Sequence, residues 1–214
     1  MRIVYRVNQR IGPPVWYAKT AKGLCMVTCG RKAETFDSFF AEGAWADPLS
    51  EAGFFESDWF CGSGARADAD GIVFSAPNNM TSGLLCSETE DGFEISNSLY
   101  LLLTVSGEDL DPDYSGCERD FNTVPDGIDD YKSKVHVLNR PPVRIAYYRN
   151  VRVLNDGTVQ IEIKPDTRPF DRFEDYEARL KKAIIAMAEI AKDPRISFRG
   201  SSVCNFTGTA AYHR

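Results

Sequence analysis

The chain has 214 residues, 43% of them hydrophobic, and a formal net charge of −6 at pH 7. That length buries a core without covalent staples, and the composition is that of an ordinary globular chain. The acidic balance and scattered basic residues exclude a global electrostatic draw to nucleic acid.

The first thirty residues read as strands. "RIVYRV" (2–7), "PVWYAKT" (14–20) and "GLCMVTCG" (23–30) are rich in β-branched and aromatic residues. "NQRIGPP" between the first two is turn material, and the three strands are expected to start an antiparallel sheet. In "ETFDSFFAEGAW", Phe36, Phe39 and Phe40 fall at helical spacing before Gly43, which predicts a short amphipathic helix.

A long β region follows. "FFESDWF" (54–60) alternates as a strand. The Asp70-Gly71 and Asp91-Gly92 dipeptides each mark a hairpin, the second between "SGLLCSE" and "FEIS". "NSLYLLLTVSG" then opens a buried helix with Asn97 or Ser98 as N-cap and Gly107 at its end. The acidic stretch "EDLDPDYSGCERDFNTVPDGIDDY" has room for one short helix. "KVHVLN" is a strand, and "RNVRVLNDGTVQIEI" a hairpin about Asp156-Gly157. The last helix lies in "RFEDYEARLKKAIIAMAEIAK". Its apolar stripe is Phe173, Tyr176, Leu180, Ile184, Met187 and Ala191, with a capping-box-like start at Asp171 and Glu174 and a stop at Asp193-Pro194. The order of elements argues an α+β fold with a mainly antiparallel sheet. Residues 1–195 are expected to form one domain and 196–214 a Gly/Ser/Thr-rich tail.

Chemistry is sparse. The six cysteines (25, 29, 61, 86, 117, 204) are widely spread, and no signal-peptide pattern opens the chain. This predicts a cytoplasmic protein with reduced thiols. Cys25 and Cys29 share a strand face and read as core residues, because no second ligand pair accompanies them and the two histidines, His136 and His213, stand far apart. No metal or cofactor is expected. The longest apolar run, "SLYLLLTV", falls well short of a membrane span of about 20 residues. "GSGARADADG" precedes no helical pattern and so fails as a dinucleotide loop. The carboxylates Asp58, Asp68, Asp70, Asp91 and Asp111 sit at turns, where such residues usually form the turn itself.

Two segments carry a resemblance. "FFESDWFCGSGARADADGIVFSAP" and "GLLCSETEDGFEISNSLYLLL" resemble the amidotransferase-like domain of asparagine-synthase-related proteins. The matching pieces are Gly64 to Ala67, Ile72 to Ser75, Gly83 to Cys86, Asp91-Gly92, and Ser96-Asn97-Ser98 with Leu101 to Leu103. "FEDYEARLKKAIIAMAEIAKDPR" is similar to the helix leading into the synthetase half. The resemblance implies an Ntn-hydrolase-like fold: two stacked, mainly antiparallel sheets with flanking helices. It also implies a glutamine amidotransferase site built on a cysteine after the initiator Met, where this sequence has Arg2. The family's oxyanion loop and pyrophosphate loop have no counterpart here. The expectation is therefore a catalytically silent domain, without catalytic residues, that acts as scaffold or docking module for a ligase or other protein partner. A protein partner or self-association is expected; nucleic-acid and membrane partners are not. Arg66, Asn97 and Ser98 are the residues offered for ligand contact. Two other classes stay open: a self-assembling structural protein, with phage origin as one option, and an amide hydrolase with a non-standard nucleophile at Cys61, Cys86, Ser96 or Ser98.

Overall fold

The first three strands form where the β-branched and aromatic residues place them: β1 (Arg2–Asn8), β2 (Trp16–Ala21) and β3 (Leu24–Gly30). The structure, a computed structural model, describes residues 1–44, 60–79, 82–127, 129–164 and 171–190. Lys22 and Gly23, both at positive φ, make the tight β2–β3 turn. The pairing departs from a simple antiparallel start. β1 lies parallel to β3, from Arg2 opposite Leu24 to Asn8 opposite Gly30, and only β2 and β3 run antiparallel. The reason lies in the link. Pro13 and Pro14 have no N–H to close a short hairpin, so the chain leaves the sheet after Asn8 and re-enters one strand further over.

The helix expected around Phe36–Phe40 is instead a hairpin of β4 (Glu34–Thr35) and β5 (Phe39–Ala44). Strand alternation satisfies the three phenylalanines better than a helix does. Phe40 points into the core at 0% exposure, while the Phe36 and Phe39 rings stack 4.2 Å apart beside the bend. The Tyr5 hydroxyl lies 2.7 Å from the Phe36 carbonyl oxygen and 2.8 Å from that of Phe39, tying β1 to this hairpin. Gly43, at φ 100°, runs so close to Cys61 that a Cβ there would fall 2.1 Å from its carbonyl oxygen. Only glycine fits.

The two Asp-Gly hairpins form as expected, β6 (Cys61–Ala67) with β7 (Gly71–Ser75) and β8 (Leu84–Thr89) with β9 (Gly92–Ser96). Helix α1 (Leu99–Ser106) follows β9 directly and ends on Gly107 in the left-handed region. The acidic stretch holds α2 (Cys117–Phe121) and a single 3-10 turn, Val124–Asp126. "KVHVLN" supplies only the two-residue β10 (Lys134–Val135), plus a lone bridge from Val137 to Leu110. Then come β11 (Val143–Ala146), the hairpin of β12 (Arg149–Leu154) with β13 (Val159–Ile163), and α3 (Phe173–Ile190). Of the expected "FFESDWF" strand only Phe60 is described, and it is fully buried. Asp193-Pro194 and the tail 196–214 lie outside the described residues.

Among the described residues the strands make two sheets. One has the order β1-β3-β2-β9-β8-β11-β10, the other β13-β12-β7-β6-β5-β4. Their inner faces share one core. Trp16, Cys25, Val27 and Ile95 of the first sheet meet Phe40, Ile72, Phe74 and Val151 of the second. The Trp16 ring stacks on Phe74 and meets Phe40 edge-on. A second cluster on the outer face of the first sheet packs Leu101 and Leu102 of α1 on Tyr17, Leu85, Val143 and Ile145. The fold is thus α+β, with two facing, mostly antiparallel sheets and few helices. No helix among the described residues is long and apolar enough to cross a membrane.

Candidate functional site

A buried polar arrangement gathers at the end of β9, beside the start of β2. Ser96 is fully buried. Its hydroxyl lies 2.6 Å from the Trp16 carbonyl oxygen and accepts from the Ser98 amide at 3.0 Å. The Asn97 side chain faces the other way along the seam. Its Oδ1 accepts the Trp16 amide at 2.9 Å, and its Nδ2 donates to the Pro14 carbonyl at 3.0 Å and to Glu42 Oε1 at 3.2 Å. Ser98 is the N-cap of α1, its Oγ accepting from the Leu101 amide at 3.3 Å. Of the two residues that the sequence offers for that cap, Ser98 takes it. Asn97 holds β2 against β5 instead.

Glu42 is the centre of this seam. It stands opposite Ser63 in the β5–β6 pairing, both facing inward. Trp16 Nε1 donates to Ser63 Oγ at 2.8 Å, and Ser63 Oγ donates to Glu42 Oε1 at 2.8 Å. Glu42 Oε1 thus accepts one bond from its own sheet, from Ser63, and one from across the seam, from Asn97. Burial pushes the Glu42 carboxyl up to about 7, against the opposing effect of its hydrogen bonds from Ser63 and Asn97. Nothing in the sequence singles out Glu42 while its segment reads as a helix. Read as a strand, Phe40 and Glu42 fall on one face, and that places the carboxyl in the core.

A cavity of about 440 Å³ opens at the opposite end of the sandwich. The β2–β3, β8–β9 and β12–β13 turns ring it, and Met1 lies beside them. Its apolar wall includes Phe93, Val153 and Val159; its polar groups include Thr20, Lys22, Glu88 and Asp91. The threonine hydroxyls at this mouth already face backbone: Thr20 Oγ1 lies 3.3 Å from the Phe93 carbonyl oxygen, and Thr89 Oγ1 3.0 Å from that of Gly92. Asp91 holds Lys19 at 3.1 Å.

The remaining chemistry-bearing groups are dispersed. Cys25, Cys29 and Cys86 are buried, and burial pushes the thiols of Cys25 and Cys86 up to about 12. Cys61 is exposed. Arg140 and Glu94 form a nearly buried pair at 3.0 Å on the outer face of the first sheet. Lys164 is buried, with its Nζ donating to the Ala76 carbonyl and Asn78 Oδ1 and lying 5.7 Å from the Phe60 ring; burial pulls this amine down to about 7. No group of three or more His, Cys, Asp or Glu among the described residues is placed to hold a metal ion.

Of the three residues offered for ligand contact, Asn97 and Ser98 stand side by side and Arg66 does not join them. Ala65 and Ala67 face the shared core, so the alternation of β6 turns Arg66 to the outer face of the second sheet. Asn97 turns to the space between the sheets, where it meets Glu42.

The fold and seam define a class: a two-sheet α+β sandwich pinned by a buried carboxyl–amide–hydroxyl network. Compared with family models, curated proteins and solved structures, the chain finds no match in any of the three.

Proposed function

We propose that the chain is a catalytically silent, amidotransferase-like domain of the asparagine-synthase-related kind, working as a scaffold or docking module for a ligase or other protein partner. The observation that carries the silent half is the state of Ser96, Asn97 and Ser98. Each directs its polar atoms to the chain itself, at 3.3 Å or less. Such a stretch orders a strand end and caps a helix rather than holding a substrate.

The facing sheets support the Ntn-hydrolase-like part of the reading, as does the passage from β9 straight into α1 that the resemblance implies. Of the two thiols offered as substitute nucleophiles, Cys86 is enclosed and burial pushes its thiol up to about 12, which suppresses the thiolate that nucleophilic attack needs, while Cys61 is exposed.

Two measurements test the two halves. The purified full chain incubated with glutamine is expected to release no ammonia above a protein-free control; release that a single Cys or Ser substitution abolishes overturns the silent reading. Native mass spectrometry of the chain taken gently from cells expressing it is expected to find it bound to a protein. A chain that runs alone and unpaired overturns the docking role.

A further inference from the structure

Among the described residues the two sheets end in four edge strands, β1, β10, β13 and β4. An edge strand carries unpaired backbone N–H and C=O groups, and folds blunt it with basic residues, proline or short length. β1 carries the exposed Arg2 and Arg6, and β4 and β10 have two residues each. β13 has five residues and neither a basic residue nor a proline. Its single charge, Glu162, is held by Arg152 at 2.9 Å.

The ladder fixes what this edge offers. The Leu154 amide donates to the Thr158 carbonyl, while the Ala76 amide donates to the Arg149 carbonyl and the Asn155 amide to the Asp70 carbonyl. Bonding alternates along antiparallel strands, so Gln160 and Glu162 turn their backbone groups to β12, and Val159, Ile161 and Ile163 turn theirs outward. Among the described residues nothing pairs with that outer side. The same three side chains lie on the face of Val151 and Val153, toward the first sheet. Val159 packs on the core, but Ile161 is 44% exposed and Ile163 72%. The edge thus presents outward backbone groups and an uncovered apolar row together.

This row is complementary to a second copy of itself. A two-fold axis at Ile161 sets Ile161 opposite Ile161, and Val159 opposite the second copy's Ile163, all as hydrogen-bonded pairs. On the other face Gln160 stands opposite the second copy's Glu162, and the axis makes this amide–carboxylate contact twice. A two-residue slip one way sets Glu162 against Glu162; a slip the other way carries Ile163 past the strand to Gly157 of the turn. A parallel pair turns the second copy over, so its apolar row lies on the opposite face. We infer that β13 is a homodimerisation edge, which pairs antiparallel about Ile161 with β13 of a second copy of this chain and joins their six-stranded sheets side by side. The inference stands on β13 alone and is independent of kinship to amidotransferases.

The test is sedimentation velocity of the full chain over a wide concentration range. The wild type is expected to be a dimer that dissociates on dilution. Ile161→Lys brings two lysines together at the axis and is expected to give a monomer with unchanged sheet content by circular dichroism. Gln160 is exposed, so its variants leave the fold alone and report the register. Gln160→Glu faces the second copy's Glu162 and is expected to raise the dimer dissociation constant about tenfold, and Gln160→Lys to lower it about threefold. A wild-type monomer at all concentrations overturns the inference. So does a dimer that Ile161→Lys leaves intact, or one whose dissociation constant the two Gln160 variants move in the same direction. A monomer that instead takes up a different protein at β13, lost in Ile161→Lys, overturns the second copy as occupant. None of these results bears on the glutamine assay.

Discussion

The indole Nε1 of Trp16 donates to Ser63 Oγ at 2.8 Å, a side-chain bond that passes from one sheet to the other inside the core. Trp16 is fully buried, so the donor has no water to turn to. Trp16→Phe keeps most of the ring but removes that donor, and is expected to cost about 2 kcal/mol in urea unfolding. Trp16→Ala also removes the ring and is expected to cost about 3–5 kcal/mol. No loss for Trp16→Phe would mean that the bond to Ser63 contributes nothing, and equal losses for the two would mean that the packing of the ring contributes nothing beyond the bond.

Asn97 and Ser98 are neighbours with different structural roles, and their alanine variants should separate. Ser98→Ala removes the cap of α1 and is expected to cost about 1 kcal/mol. Asn97→Ala leaves the Trp16 amide, the Pro14 carbonyl and Glu42 each short of a partner, and is expected to cost about 2–3 kcal/mol. Equilibrium unfolding of both variants in one denaturant series decides it. A loss at Asn97 no greater than that at Ser98 would mean that water replaces the Asn97 bonds freely.

Glu42 gives stability a specific pH dependence. Its carboxyl ionises near 7 in the fold against an ordinary value of 4.5, so the folded chain keeps this proton while the unfolded chain loses it. The contribution is fully present below about pH 4.5 and declines as pH rises to about 7, by at most about 3 kcal/mol. Other groups act in other windows. Asp120, held down to about 2 chiefly by its hydrogen bond from Lys132, weakens the fold only in stronger acid. Lys164, pulled down to about 7 from 10.5, adds stability as pH rises above 7. The clean measurement is therefore the difference between wild type and Glu42→Gln, which keeps an acceptor for Ser63 and Asn97 and cannot ionise. The variant should gain on the wild type from pH 5 to pH 8; a difference that stays flat across that range would show an ordinary carboxyl at position 42.

What the sequence made legible follows from the range of the interactions involved. The Asp-Gly hairpins, the capped α1 and the inward-facing Cys25 and Cys29 are set by neighbours within a few residues, and they stand where alternation and turn chemistry put them. The hairpin at Phe36–Phe40 and the parallel β1–β3 pair were hidden because both depend on partners elsewhere in the chain. Phe40 needs Trp16 and Tyr5 to make a strand preferable to a helix, and β1 needs β3 already paired with β2. The site was half legible for the same reason. Asn97 and Ser98 declared themselves by their position before a helix, while Glu42 and Ser63 meet Asn97 and Trp16 only once the two sheets face each other.

The thiols offer a last discriminating measurement. Thiolate is the reactive form, and burial suppresses it at Cys25 and Cys86 while also shutting out reagent. Under native conditions at pH 7.5 (a working value near the ordinary thiol range of about 8.5), these two should label far more slowly than in denaturant. Cys61, exposed at the start of β6, should label fastest of the five described cysteines. Peptide mapping by mass spectrometry after a short pulse of alkylating reagent assigns each site. Rapid native labelling of Cys86 would mean that the two sheets part readily, since Cys86 sits in the core they share. It would also return Cys86 to consideration as a nucleophile and so count against a silent domain.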